Sequence, residues 1–71
     1  MIVVDTFKAA RNIKAKPIGQ TEQGEAAYQR LMHGFCAQCA HHVSVVDDAA
    51  SEREFYISGM CQNCQDSFFG A

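Results

Sequence analysis

Residues 36–64 read CAQCAHHVSVVDDAASEREFYISGMCQNC, two Cys-x2-Cys turns separated by 21 residues. A turn of this kind lets two thiolates converge on one ion while backbone amides donate to the sulfurs. Two such turns held side by side make a tetrahedral S4 site, the closed coordination of structural zinc. The period between them is extended. In His41 to Val46, Val43 and Val45 share one face and Ser44 takes the other; in Arg53 to Ser58, Phe55 and Ile57 oppose Tyr56. Asp47-Asp48-Ala49-Ala50-Ser51 is a short polar connection. The pattern predicts an antiparallel hairpin with a cysteine turn at each end.

From Cys36 to Cys64 this order of turn, strand, connection, strand, turn resembles the zinc-ribbon superfamily. The resemblance implies that Cys36, Cys39, Cys61 and Cys64 ligate one structural, non-catalytic Zn²⁺, and that the ribbon docks on nucleic acid or on another protein. It covers under half of the chain. Many ribbons carry Gly or a basic residue after the second cysteine of each turn, where this chain has Ala40 and Gln65. The tail CQNCQDSFFG, ending at Gly70, is similar to the aromatic-rich Phe-Gly end of a zinc-bearing bacterial large-subunit ribosomal protein, although the low positive charge opposes a ribosomal role. In size and cysteine turns the chain is also similar to small bacteriophage or bacterial accessory proteins.

The residues themselves leave alternatives to zinc open. Four cysteines also allow two disulfides in three pairings, an S4 set accepts iron, and one Cys-x2-Cys can be a redox pair. His42 stands three positions after Cys39, so a Cys3His set is chemically ordinary; His41 or His42 could equally support the site through hydrogen bonds.

Upstream, Thr21 to Met32 reads as a helix. Thr21 caps it, Glu22 and Glu25 sit where the helix dipole favours negative charge, and Gly24 lowers its propensity. Ala27 with Leu31, and Tyr28 with Leu31 and Met32, form an apolar stripe, and His33-Gly34 stops the helix. KPIG, with Pro17 and Gly19, is a boundary. TFKAARNI is a second, shorter helix capped by Asp5 or Thr6, with Phe7, Ala10 and Ile13 on one side and Lys8 and Arg11 mostly on the other. Met1 to Val4 starts a short strand. The expected fold class is a small α+β: N-terminal helices followed by a two-stranded zinc-ribbon hairpin. One domain spans 1–71, helical over 1–34 and a ribbon module over 35–71.

A chain of 71 residues buries only about 60% of its unfolded surface, so a staple is expected. The first residues lack a basic stretch followed by an apolar run and cleavage site, so no signal peptide is read there, and a reducing, cytoplasmic setting is expected. No run approaches the roughly 20 apolar residues of a membrane span. Residues 1–20 carry Lys8, Arg11, Lys14 and Lys16 against Asp5, a charge of +3; residues 21–71 carry Arg30 and Arg53 against Glu22, Glu25, Asp47, Asp48, Glu52, Glu54 and Asp66, a charge of −5. An acidic cysteine module does not grip phosphates by itself.

A closed site without a paired base is not expected to be an enzyme. The expected function is a non-enzymatic, zinc-stabilised protein-interaction module, a regulator or inhibitor of a nucleic-acid-handling enzyme, with a protein as its partner. The alternative is a nucleic-acid-binding ribbon using the basic N-terminal segment. A homodimer covering Val4, Phe7, Tyr28, Phe68 and Phe69 is a further arrangement the small core allows.

Overall fold

In a computed structural model that describes residues 1–69, Asp5 opens the first helix. Its carboxylate accepts from the amides of Phe7 and Lys8 at 2.9 and 3.2 Å, satisfying donors that have no partner within the helix. This helix, α1 (Thr6–Ala15), buries Ala9, Ala10 and Ile13. Phe7, expected on the same face, is half exposed instead, because the buried stripe runs through Ala9. A 3-10 turn, Pro17–Gln20, leads to α2 (Glu22–Met32), which Thr21 caps by accepting from the Gly24 amide at 3.0 Å. The helix ends at His33-Gly34 as expected. Its packing partner is α1, with the 3-10 turn against both.

The expected two-stranded hairpin does not form, and the small α+β fold class built on it is overturned: the fold is mostly helical. Residues expected as its second strand lie in α3 (Ala49–Ser58). Local chemistry explains why. Asp48 accepts from the Ser51 amide at 2.8 Å, Glu52 lies in the first turn, and Gly59 closes the helix at φ +76° with its amide on the Phe55 carbonyl. Only Phe55, Tyr56 and Ile57 favour a strand among the ten residues of Ala49–Ser58, so strand propensity over the whole segment is weak. Ser51, Phe55 and Gly59 are buried, a four-residue spacing that an alternating strand reading of Phe55 and Ile57 conceals.

The first expected strand is extended but pairs elsewhere. β1 (Ile2–Val3) and β2 (Val45–Val46) run antiparallel, with Ile2 opposite Val46 and Val3 opposite Val45. The Val4 amide extends this ladder to the Ser44 carbonyl at 2.9 Å. After α3 comes α4 (Gln62–Phe69), a segment for which the sequence reading assigned no helix. Gly70, the end of the Phe-Gly tail compared above, lies outside the described residues.

The core lies where α1 meets α2 and α3. Phe55, Leu31, Val46 and Cys36 are its largest fully buried side chains, among Ala9, Ala10, Ile13, Ala37 and Val43. Tyr56 ties α3 to the start of α1: its hydroxyl accepts from the Asp5 amide at 3.0 Å and the Lys8 ammonium lies 4.9 Å from its ring centre.

Candidate metal centre

The end of α2 hands the chain to a tight turn carrying Cys36 and Cys39. Among the contacts that hold it, Arg30 donates from Nη1 to the Ala37 carbonyl at 2.8 Å, and the Ala37 amide donates to the Gly59 carbonyl at 3.0 Å. The second contact joins the turn to the segment that leads into Cys61. A Cβ at Gly59 would lie 3.0 Å from both Ala37 Cβ and Leu31 Cδ1, so this close approach requires glycine as much as its positive φ does. Cys61 immediately precedes α4 and Cys64 lies in its first turn. One cysteine pair therefore sits on a turn and the other on a helix start, not on two ends of a hairpin.

All four Sγ atoms lie within 4.8 Å of one another. Across the two segments, Cys36 and Cys64 approach to 3.7 Å and Cys39 and Cys61 to 3.6 Å. Zn–S bonds of about 2.3 Å in a tetrahedron set sulfur–sulfur edges of about 3.8 Å, so the donor set fits one such ion. The separations are far from the roughly 2.05 Å of a disulfide, and the cysteines are free thiols. The structure brings together the four expected cysteines; His41 and His42 are outside the cluster. Instead, the His41 carbonyl accepts from the Cys36 amide at 2.7 Å, and the His42 ring meets Phe35 edge-on at 6.3 Å.

Cys36 is fully buried, which opposes its thiolate, but the amides of Cys39, Cys61 and Gln38 all donate to its sulfur and bring its pKa down to about 7. Burial pushes Cys61 and Cys64 up, and for Cys64 sharing hydrogen bonds with three neighbouring sulfurs adds to the rise. Proton loss at Cys61 and Cys64 is thus disfavoured without a cation beside them. That is the electrostatic setting a divalent metal relieves.

Two features of the centre escaped the sequence reading. Ala40 follows the first turn at φ +62°, the left-handed region, and its amide caps back to the Cys36 carbonyl at 3.1 Å. The glycine that many ribbons carry there is thus missing from a position whose backbone still calls for it. Ala40→Gly is expected to raise stability by about 1 kcal/mol, read from denaturant midpoints of metal-loaded protein. An unchanged or lower midpoint would show that the turn carries no such strain.

Gln65, noted only as a departure from ribbon usage, is buried, and its Nε2 donates to the Ser51 carbonyl at 3.1 Å and the Met60 carbonyl at 2.9 Å. It anchors α4 to α3 and to the approach to Cys61. The missed signal was an amide four residues after Cys61, which becomes informative only once 62–69 is a helix. Gln65→Leu keeps the volume but removes both bonds, and is expected to destabilise by about 2 kcal/mol. A urea midpoint equal to wild type would contradict that role.

Comparison with protein-family models, with characterised proteins and with solved structures finds no match for this chain.

Proposed function

We propose that this chain is a zinc-stabilised protein-interaction module without catalytic activity. The observation that carries the reading is the closed set of four sulfurs drawn from two separate segments, all within 4.8 Å. Four thiolates fill the tetrahedron of one Zn²⁺, leaving no position at which the ion could activate water or substrate. The ion's part is then to hold the turn after α2 against the start of α4. A reducing compartment such as the cytoplasm suits such a site, because it keeps the thiols available. Among the described residues, no helix is long and apolar enough to cross a membrane.

The alternative, phosphate binding through the basic N-terminal segment, is weakened by what its side chains do. Lys14 pairs with Glu25 and lies over the Tyr28 ring, Lys16 donates to the Ile57 carbonyl at 3.0 Å, and Lys8 lies over Tyr56. These three cations have partners on neighbouring elements, whereas Arg11 is exposed. Asp47, Asp48 and Asp66 are all exposed, although Asp48 also caps α3 and Asp66 accepts from Gln62 Nε2 at 3.1 Å. With a net charge of −2 before any metal is bound, the favoured partner has a basic surface, such as the groove of a nucleic-acid-handling enzyme whose activity the module would regulate or inhibit.

Native mass spectrometry of protein purified without added metal, followed by capture of partners at mild salt, tests this reading. One zinc per chain and a co-purifying protein are expected. Nucleic acid released by salt and lost on neutralising Lys8 and Arg11 would favour the alternative. A metal-free mass lighter by four protons would mean two disulfides.

A further inference from the structure

A cavity of about 460 Å³ opens beside the sulfur cluster, within the size range of ligand pockets. Cys39 and Cys64 form part of its wall, Met60 and Phe68 supply apolar surface, and Gln38 and Asn63 supply exposed amides. Across His41 and Asn63 it meets a second cavity of about 210 Å³ beside Cys61, so an extended chain has room to continue along the cluster. Among the described residues, no Lys or Arg lines either cavity.

We propose that the larger cavity accepts the cationic side chain, Arg or Lys, of an extended segment of a partner protein. The inference rests on the interaction-module reading and names the chemistry of its partner. Charge complementarity decides the occupant. Four thiolates around a dication leave two net negative charges, and Cys39 and Cys64 bring them to the cavity wall. Anionic groups are repelled there, and a purely apolar side chain leaves the amides of Gln38 and Asn63 without a use. A guanidinium or ammonium on an aliphatic stem satisfies both walls: the stem lies on Met60, the charge meets sulfur and amide oxygens, and the Phe68 face adds a cation–π contact. Phe68 is 74% exposed, its ring standing at 80° to that of Phe69 with 5.3 Å between their centres, and is open to solvent to serve as that platform.

Zinc-loaded full chain labelled with nitrogen-15 is titrated to millimolar levels with capped peptides Ala-Leu-Arg-Leu-Arg-Ala and Ala-Leu-Glu-Leu-Glu-Ala. The Arg peptide is expected to shift the amides of Gln38, Asn63 and Phe68, more strongly at low than at high salt, while the Glu peptide leaves them in place. Phe68→Ala should weaken the Arg peptide about tenfold. Asn63→Lys, which places a cation at an exposed site in the wall, should abolish its binding with zinc stoichiometry unchanged. Equal response to both peptides, shifts confined to Asp47 and Glu54, or no shift overturns the assignment. The two levels fail separately. Capture of a protein partner equally by wild type and both variants keeps the module reading and sinks the cavity assignment; Arg-peptide binding in the cavity with no protein partner captured does the reverse.

Discussion

Zinc-loaded protein given a strong chelator is expected to lose most of its helical amide signal and its cooperative melting, and to recover both when zinc is returned. The reason lies in how little else holds the chain. Only ten apolar residues among those described are buried, three of them alanine, with Phe55 and Leu31 the largest fully buried side chains. The helices run to 10, 11, 10 and 8 residues, each below the roughly 12–15 at which an isolated helix becomes even marginal in water. Structural zinc contributes on the order of 10 kcal/mol or more, as much as the whole stability of about 5–15 kcal/mol expected of a small domain. Without the ion, α4 keeps one buried side chain, Gln65, as its anchor. Circular dichroism with a metal assay on the same sample decides the matter: a metal-free protein with unchanged helical signal and melting would show that packing alone sustains the fold.

Gly24→Ala is expected to destabilise by about 3 kcal/mol, the reverse of what helix propensity alone implies. In an unconstrained helix, replacing glycine by alanine gains about 1 kcal/mol. Here a Cβ would stand 1.8 Å from the Ile18 carbonyl oxygen, 2.6 Å from its carbon and 2.8 Å from the Gly19 Cα. All three are backbone atoms, so no side chain can swing aside; the 3-10 turn must move off α2, and overpacking of that kind commonly costs about 1–3 kcal/mol or more. Gly19 would move with it, and that turn already lies against α1 closely enough that an added Cβ at Gly19 would clash with the Ile13 carbonyl oxygen. Thermal and urea denaturation of the metal-loaded variant provide the check. A variant as stable as wild type, or more so, would mean that the turn does not pack this tightly.

The same glycine shows where sequence reasoning stops. At Gly24 the residue type signals only a weak helix position; the reason for it is a contact with a turn several residues earlier in the chain. Residues 49–58 show a second kind of limit. Alternation of Phe55, Tyr56 and Ile57 fits a strand face, and a run this short cannot separate that period from a helical one. The caps could have separated them, because Asp48 before an Ala-Ala-Ser-Glu start and Gly59 after the last turn form a helix signature at both ends. For α2 the cap was read at Thr21, and for α1 the reading left Asp5 or Thr6, of which Asp5 is the cap; no competing alternation obscured either helix.

What the sequence by itself determined is local chemistry: four thiols in two turns, three-residue spacings within each pair, capped helices before the first turn, and an acidic balance after it. Each depends on residues a few positions apart. The tertiary structure alone decided which segments meet. It pairs Val45–Val46 with Ile2–Val3 across more than 40 residues, aims α3 into the core, and brings a turn and a helix start to within 3.7 Å through sulfur. Those outcomes depend on burying one shared core, in which the energy of any segment depends on distant neighbours that no short window of sequence contains.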